Sequence, residues 1–176
     1  MSRHARMEAL TQLLDLEGFE VVEMQEDRPQ RVRRLGLIPK VDVGLCPRCQ
    51  RSTDHRHQVR ERTVQDLPWG RYATELTLRV PQYQCPHCGA LFTPRFPALA
   101  EGTHATERFL ERLAEMVRGS DLKNAAAFFG LPEKTLESWY YDYVERHRAG
   151  APPDPIRSLG IDELARKKNG GASVAC

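Results

Sequence analysis

Two Cys-x-x-Cys pairs, Cys46-Pro-Arg-Cys49 and Cys85-Pro-His-Cys88-Gly89, constrain this chain more than any other feature. Each pair fits a tight turn that aims two sulfurs at one point, and four thiolates complete a tetrahedral metal site with no open position. Such a site holds a fold together and leaves no coordination place for a substrate. It predicts a structural zinc ribbon with Cys46, Cys49, Cys85 and Cys88 as ligands. Pro47 and Pro86 preset the turns, and Gly89 supplies the backbone freedom that closes the second knuckle. A rubredoxin-like iron site that carries single electrons has the same ligand pattern, so metal identity stays open. His55, His57 and His87 lie nearby, but four thiols make them unnecessary as ligands.

Composition supports the metal reading. The 176 residues contain no apolar run long enough to span a membrane, and Met1 to Arg6 lacks the apolar core of a secretion signal. A soluble, cytoplasmic protein is expected, and in a reducing compartment paired cysteines serve metals more often than disulfides. Cys176 is unpaired and terminal. The net charge of +2 hides an uneven distribution. Between Arg28 and Arg62 ten basic residues face three acids, and nine of the ten are arginine. Arginine's planar fork suits phosphate, so this segment is read as an electrostatic footprint for nucleic acid, with Arg31, Arg33, Arg34, Arg48, Arg51 and Arg56 as candidate contacts.

The hydrophobic pattern divides the chain into modules. Residues 1–40 read as a helix over 5–17 followed by a hairpin, with strands at Phe19–Gln25 and Arg31–Ile38 that pack on the ribbon. Residues 41–99 form the ribbon. Within it Gln58–Val64 is a strand, Asp66-Leu67-Pro68-Trp69-Gly70 is a turn, and Tyr72–Val80 alternates with Leu76, Leu78 and Val80 on one face. Leu91, Phe92 and Phe96 are expected to cover the metal, and 94–102 reads as a linker. Residues 100–149 carry three helices. The first is capped by Thr103, the second runs from a cap at Asp121 through Phe128, and the third runs from Pro132 to about His147. Residues 150–176 begin with a proline-rich linker. The expected class is therefore α+β and multi-module: a small β-rich ribbon with an N-terminal helix and hairpin, then an all-α helix-turn-helix.

The helix-turn-helix reading rests on Ala126 at a close helix crossing, Gly130 in the turn, and Leu131, Leu136 and Trp139 in the core. In this reading the third helix enters the major groove with Lys134, Thr135 and Ser138 toward the bases, while Lys123 touches phosphate. An ordinary three-helix bundle fits the same spacing.

The order of these modules resembles the N-terminal part of an ISL3-type transposase, the IS204/IS1001/IS1096/IS1165 group. The resemblance is carried by Leu13-Leu14-Asp15-Leu16 before the first knuckle, by Val64-Gln-Asp66-Leu67-Pro68 before the second, by the helices from Thr106 to Trp139, and by Leu159-Gly160-Ile161-Asp162-Glu163. It implies binding of double-stranded DNA at the inverted repeats of an element's ends, near the bacterial nucleoid. It also implies a three-carboxylate domain that moves DNA with two Mg2+ ions, of which Asp162 matches the first ligand. The chain ends at Cys176, before the second Asp and the Glu. The expectation is a truncated, zinc-dependent, sequence-specific DNA binder without strand-transfer activity, paired with a second copy or a full-length transposase. A departure from the family is Val80-Pro81-Gln82-Tyr83-Gln84, which lacks the arginines often found before the third cysteine. A free-standing transcriptional regulator and a metal-stabilised interaction or electron-transfer module are the alternatives.

Overall fold

A computed structural model describes residues 2–148. Its element order is α1 (Arg3–Leu14), β1 (Phe19–Asp27), β2 (Val32–Pro39), β3 (Gly44–Leu45), β4 (Ser52–Thr53), β5 (Arg56–Trp69), β6 (Tyr72–Gln84), β7 (Leu91–Phe92), α2 (Glu107–Gly119), α3 (Leu122–Phe129) and α4 (Glu133–Arg148). Mixed α and β structure is therefore present, with one main sheet and four helices. The linker after Arg148, Asp162 and Cys176 lie outside the described residues.

The main sheet runs β1-β2-β6-β5, with β7 also on β6. The expected hairpin does more than pack on the ribbon: β2 pairs with β6 in parallel, Leu35 beside Leu76 and Leu37 beside Leu78. Side chains alternate across a strand, so this register puts four leucines on one face with Val64 and Val21. Leu14, Leu16, Phe19, Val80 and Leu99 complete that core, and Met7 and Leu10 of α1 pack on it. Leu13 is 70% exposed, so the helical apolar spacing overcounts the core by one leucine. The helix also stops at Leu14, where Asp15 turns left-handed at φ 47°, rather than running to residue 17.

Four other expectations need correction. The predicted turn at 66–70 is mostly strand: β5 continues through Leu67 and Pro68 to Trp69, and only Gly70-Arg71 turns. Proline is tolerated there because β5 is an edge strand and bulges between Asp66 and Trp69. Strand β6 likewise passes through Pro81, beyond the end of the β2 pairing at Leu78 and before β7 joins at Tyr83. The 94–102 stretch is anchored rather than a free linker: Leu99 and Ala100 are buried, and Arg62 donates to the Ala100 and Thr103 carbonyls. Finally, α2 is capped by Thr106, whose hydroxyl accepts from the Phe109 amide, while Thr103 is buried in the preceding loop.

Helices α2, α3 and α4 enclose a second core of Phe109, Leu110, Leu113, Ala125, Phe129 and Leu136. Asp121 caps α3, and Gly130 ends it at φ 68°, as the sequence predicts. Within α3 the fully buried alanine is Ala125, while Ala126 is half-buried.

The helical unit is fastened to the sheet. The Gln65 amide donates to the His104 carbonyl, and the Thr106 amide donates back to Gln65. Asp66, 3% exposed, accepts from the Thr106 hydroxyl at 2.7 Å and pairs with Arg108 through both carboxylate oxygens. Arg108 also donates to the Leu14 carbonyl at 2.7 Å. One buried acid thus ties together α1, β5 and α2.

Candidate metal centre and nucleic-acid interface

The two knuckles fold by the same local rule. In the first, the Gln50 amide donates to the Cys46 carbonyl and the Cys46 amide to Arg51. In the second, the Gly89 amide donates to Cys85 and the Cys85 amide to Ala90. Each loop needs a left-handed residue right after its second cysteine. Gly89 provides it at φ 71°, but Gln50 adopts φ 58° with a full side chain. The glycine is legible in the sequence; the equivalent strained position at Gln50 is not, because nothing about glutamine signals positive φ.

Strand β6 and the short pair β3–β4 bring the knuckles together. The sulfurs of Cys46 and Cys88 lie 3.6 Å apart, and those of Cys49 and Cys85 lie 3.5 Å apart. All four lie within 4.8 Å of one another. A tetrahedral ion with metal–sulfur bonds of about 2.3 Å requires sulfur separations of roughly 3.8 Å, whereas a disulfide requires about 2 Å. The donor set and its spacing fit a four-coordinate, thiophilic metal. Burial pushes the Cys85 thiol up, but the Cys88 and His87 amides pointing at it prevail and bring it down to about 6. Cys46 is also lowered: burial opposes this, and the Cys49 and Arg48 amides outweigh it. Such amides favour the thiolate form; at Cys49 the Arg51 amide acts the same way, but burial and the neighbouring sulfurs prevail and push that thiol up to about 11.

Tyr83 and Phe92 wall the cluster, their rings 5.9 Å apart. The expected cover of Leu91, Phe92 and Phe96 is thus one-third correct: Leu91 is exposed, and Phe96 packs against Phe19 on the other core. Gly44 passes directly beneath this wall, where an added Cβ would sit 2.7 Å from Tyr83 Cδ2 and 2.9 Å from Phe92 Cε2. The Tyr83 hydroxyl donates to Asp42 at 3.0 Å, and Asp42 also pairs with Arg56. Burial, then the Asp42 carboxylate, pushes the Tyr83 phenol up to about 12. Chiefly the Arg56 guanidinium holds Asp42 below its usual value. His87 is exposed and shares a 2.9 Å hydrogen bond with Arg51 across the two knuckles.

The basic segment that is continuous in sequence is split in space. Strand β6 leads from the Gly70-Arg71 turn to Cys85, and the β1–β2 turn lies beside that same far end, where the Ala73 amide donates to the Arg31 carbonyl. Twelve residues of strand from Ala73 to Cys85 cover roughly 40 Å at ~3.3 Å each. Arg31, Arg33 and Arg34 therefore sit at the end away from the metal, and Arg48, Arg51 and Arg56 at the metal end.

Their availability also differs. Arg33 pairs with Glu26 and stacks 4.4 Å from the Tyr72 ring and 5.5 Å from Trp69, a structural role. Arg34 pairs with Glu75 at 2.9 Å, and Arg56 is held by Asp42. Arg31 and Arg48 are exposed and have no ion-pair partner among the described residues. In the helical unit Lys123, Lys134 and Ser138 are exposed, while Thr135 is half-buried. The sequence reading missed Arg71, which its place beside Gly70 signals, and the Asp66–Arg108 pair, which needs the fold.

Residues 42–88 match the family model of the zinc-finger of transposase IS204/IS1001/IS1096/IS1165. The chain is also 29% identical over 153 residues to the transposase for insertion sequence element IS1001 from Bordetella parapertussis, covering 86% of this chain and 37% of that relative. In these stretches the chain is similar to ISL3-type transposases. The chain spans a little over a third of the length of the curated relative it matches. No solved structure matches it. The matched zinc-finger region holds all four clustered cysteines.

Proposed function

We propose that this chain is a zinc-stabilised reader of double-stranded DNA that recognises the terminal inverted repeats of an insertion element. The observation that carries the reading is the tetrathiolate cluster inside the region that matches a transposase zinc-finger, with exposed Arg48 between two of its ligands. Zinc bound there would lock both knuckles and fix where Arg48 and Arg51 project. Iron would fit the same sulfurs, but an electron carrier has no use for the arginines or the three helices.

In this reading α3 and α4 act as a helix-turn-helix, with the sharp Gly130 turn between them. Lys134 and Ser138 lie about one turn apart on the exposed surface of α4, and Lys123 flanks α3. The surface of α4 also carries Glu133, Glu137, Asp142 and Glu145. Base contacts there would include acceptance from cytosine amino groups, and the nonspecific attraction would come from the sheet. The Mg2+-dependent carboxylate chemistry, with Asp162 as its first ligand, is assigned to the part of the architecture beyond the described residues. A chain confined to this stretch would occupy ends without joining them, and would compete with a full-length transposase for them.

The test is fluorescence anisotropy with duplexes carrying the inverted repeats that flank the gene. Zinc-loaded protein is expected to bind them more tightly than scrambled duplexes of equal length, and chelation is expected to remove that preference. Equal affinity for both duplexes would overturn end recognition; preference for a promoter fragment instead would make the protein a transcriptional regulator. A colourless protein with one zinc per chain by elemental analysis is expected, and visible absorbance would reassign the metal to iron.

A further inference from the structure

Two hairpin turns lie side by side at the end of the sheet farthest from the cysteines. One joins β1 to β2 at Arg28–Arg31, the other joins β5 to β6 at Gly70-Arg71, and the parallel pairing of β2 with β6 forces both to the same end. The tip is stiff. Arg33 is sandwiched among Glu26, Trp69 and Tyr72 and donates to the Trp69 carbonyl, which fastens one hairpin to the other. Acids near the tip are already engaged by neighbours: Glu26 with Arg28 and Arg33, Asp27 and Glu75 with Arg34. Arg31 and Arg71 are exposed with no ion-pair partner among the described residues, and the Arg28 side chain is 83% exposed. Arg31 is held at φ 54°, a conformation costly for arginine, by the turn itself.

We propose that this twin-hairpin tip is a second phosphate-contacting site, which grips the same DNA duplex about one helical turn from the metal-end arginines. The inference rests on the DNA-binding reading above. The separation argues for it: the strand path between the two sites is roughly 40 Å, and one turn of B-form DNA advances about 34–36 Å. The backbone presents the same aspect again after one turn, so two cationic ends of one stiff sheet can meet equivalent phosphates. The chemistry is sequence-independent, because exposed guanidinium groups on turns reach phosphate oxygens without entering a groove. The paired, stacked Arg33 keeps the two turns in register so that Arg31 and Arg71 act together.

The test compares zinc-loaded full chain on random-sequence duplexes of 10 and 30 base pairs, titrated across salt concentrations. The short duplex reaches one end of the sheet and the long one reaches both. Wild-type protein is expected to show a steeper salt dependence on the long duplex. The Arg31→Gln, Arg71→Gln double variant is expected to lose about two from that slope, about one per phosphate contact removed, and to bind the 30-mer on the order of tenfold more weakly at low salt. Its binding to the 10-mer should fall much less, because the metal-end arginines alone can hold a short duplex, and Arg31→Lys, Arg71→Lys should restore most of the loss. A double variant with the wild-type slope on the long duplex overturns the second site while leaving DNA binding intact. Failure of wild-type protein to bind either duplex overturns both readings.

Discussion

Single residues at the metal end carry more constraint than their side chains suggest. Gly44 has no role visible in the sequence, yet its missing Cβ is what lets β3 pass beneath Tyr83 and Phe92. Gly44→Ala is expected to lower stability by about 1–3 kcal/mol through overpacking and to weaken metal retention, measured by denaturation and by competition with a chelating dye. Gly89 differs, since an added Cβ there meets nothing within 4 Å. Gly89→Ala should therefore cost only the left-handed backbone penalty, about 1 kcal/mol. The Asp42 carboxylate is held below its usual value chiefly by Arg56. Its folded-state value is depressed, so the Asp42–Tyr83–Arg56 clip stabilises the fold fully above the ordinary carboxylate range and is lost as pH falls through the lower folded value. Stability of Asp42→Asn against wild type should thus differ at pH 7 and converge only in acid well below the ordinary carboxylate range. The four ligands were legible because their spacing is itself the geometry. Gln50 and Gly44 were not, because steric need at a single position leaves no pattern.

At the level of elements, the boundaries set by capping chemistry were readable and those set by tertiary pairing were not. Asp121 and Gly130 bracket α3 where their residue types say they should. Asp121→Ala is expected to cost about 1 kcal/mol, detectable as a lowered denaturation midpoint. The Asp66–Pro68 stretch, by contrast, carries turn residues yet remains strand, because β6 offers Asp66 and Trp69 partners in Thr74 and Tyr72. Asp66 instead becomes the buried anchor of α2 through Thr106 and Arg108. Removing one side of such a pair leaves a buried, uncompensated carboxylate. Arg108→Met is expected to destabilise by about 3 kcal/mol, and adding Asp66→Asn to it should recover part of the loss. Two independent, additive effects in that double-mutant cycle would mean the pair does not couple the sheet to the helices.

Across the whole molecule the metal supports one end of a fold whose other parts have cores of their own. The leucine-rich sheet core and the helical core share no buried residue with the cysteine cluster. Chelation is therefore expected to expose amides of residues 44–53 and 83–92 to hydrogen exchange while those of Leu35, Leu76 and Leu113 stay protected; global unfolding on chelation would show instead that the metal holds every part. The sequence by itself determined the metal site, the α3–α4 turn and the alternation of β6, because each is written in spacing or capping within a few residues. Only the tertiary structure decided that the N-terminal hairpin joins the ribbon's strands in one sheet, since parallel pairing between β2 and β6 depends on contacts some forty residues apart. The same pairing decided the fate of the arginines. A single basic run in the chain became two clusters at opposite ends of the sheet, because neighbouring residues in sequence separate at about 3.3 Å per residue along extended strands, while hairpin turns distant in sequence are brought side by side.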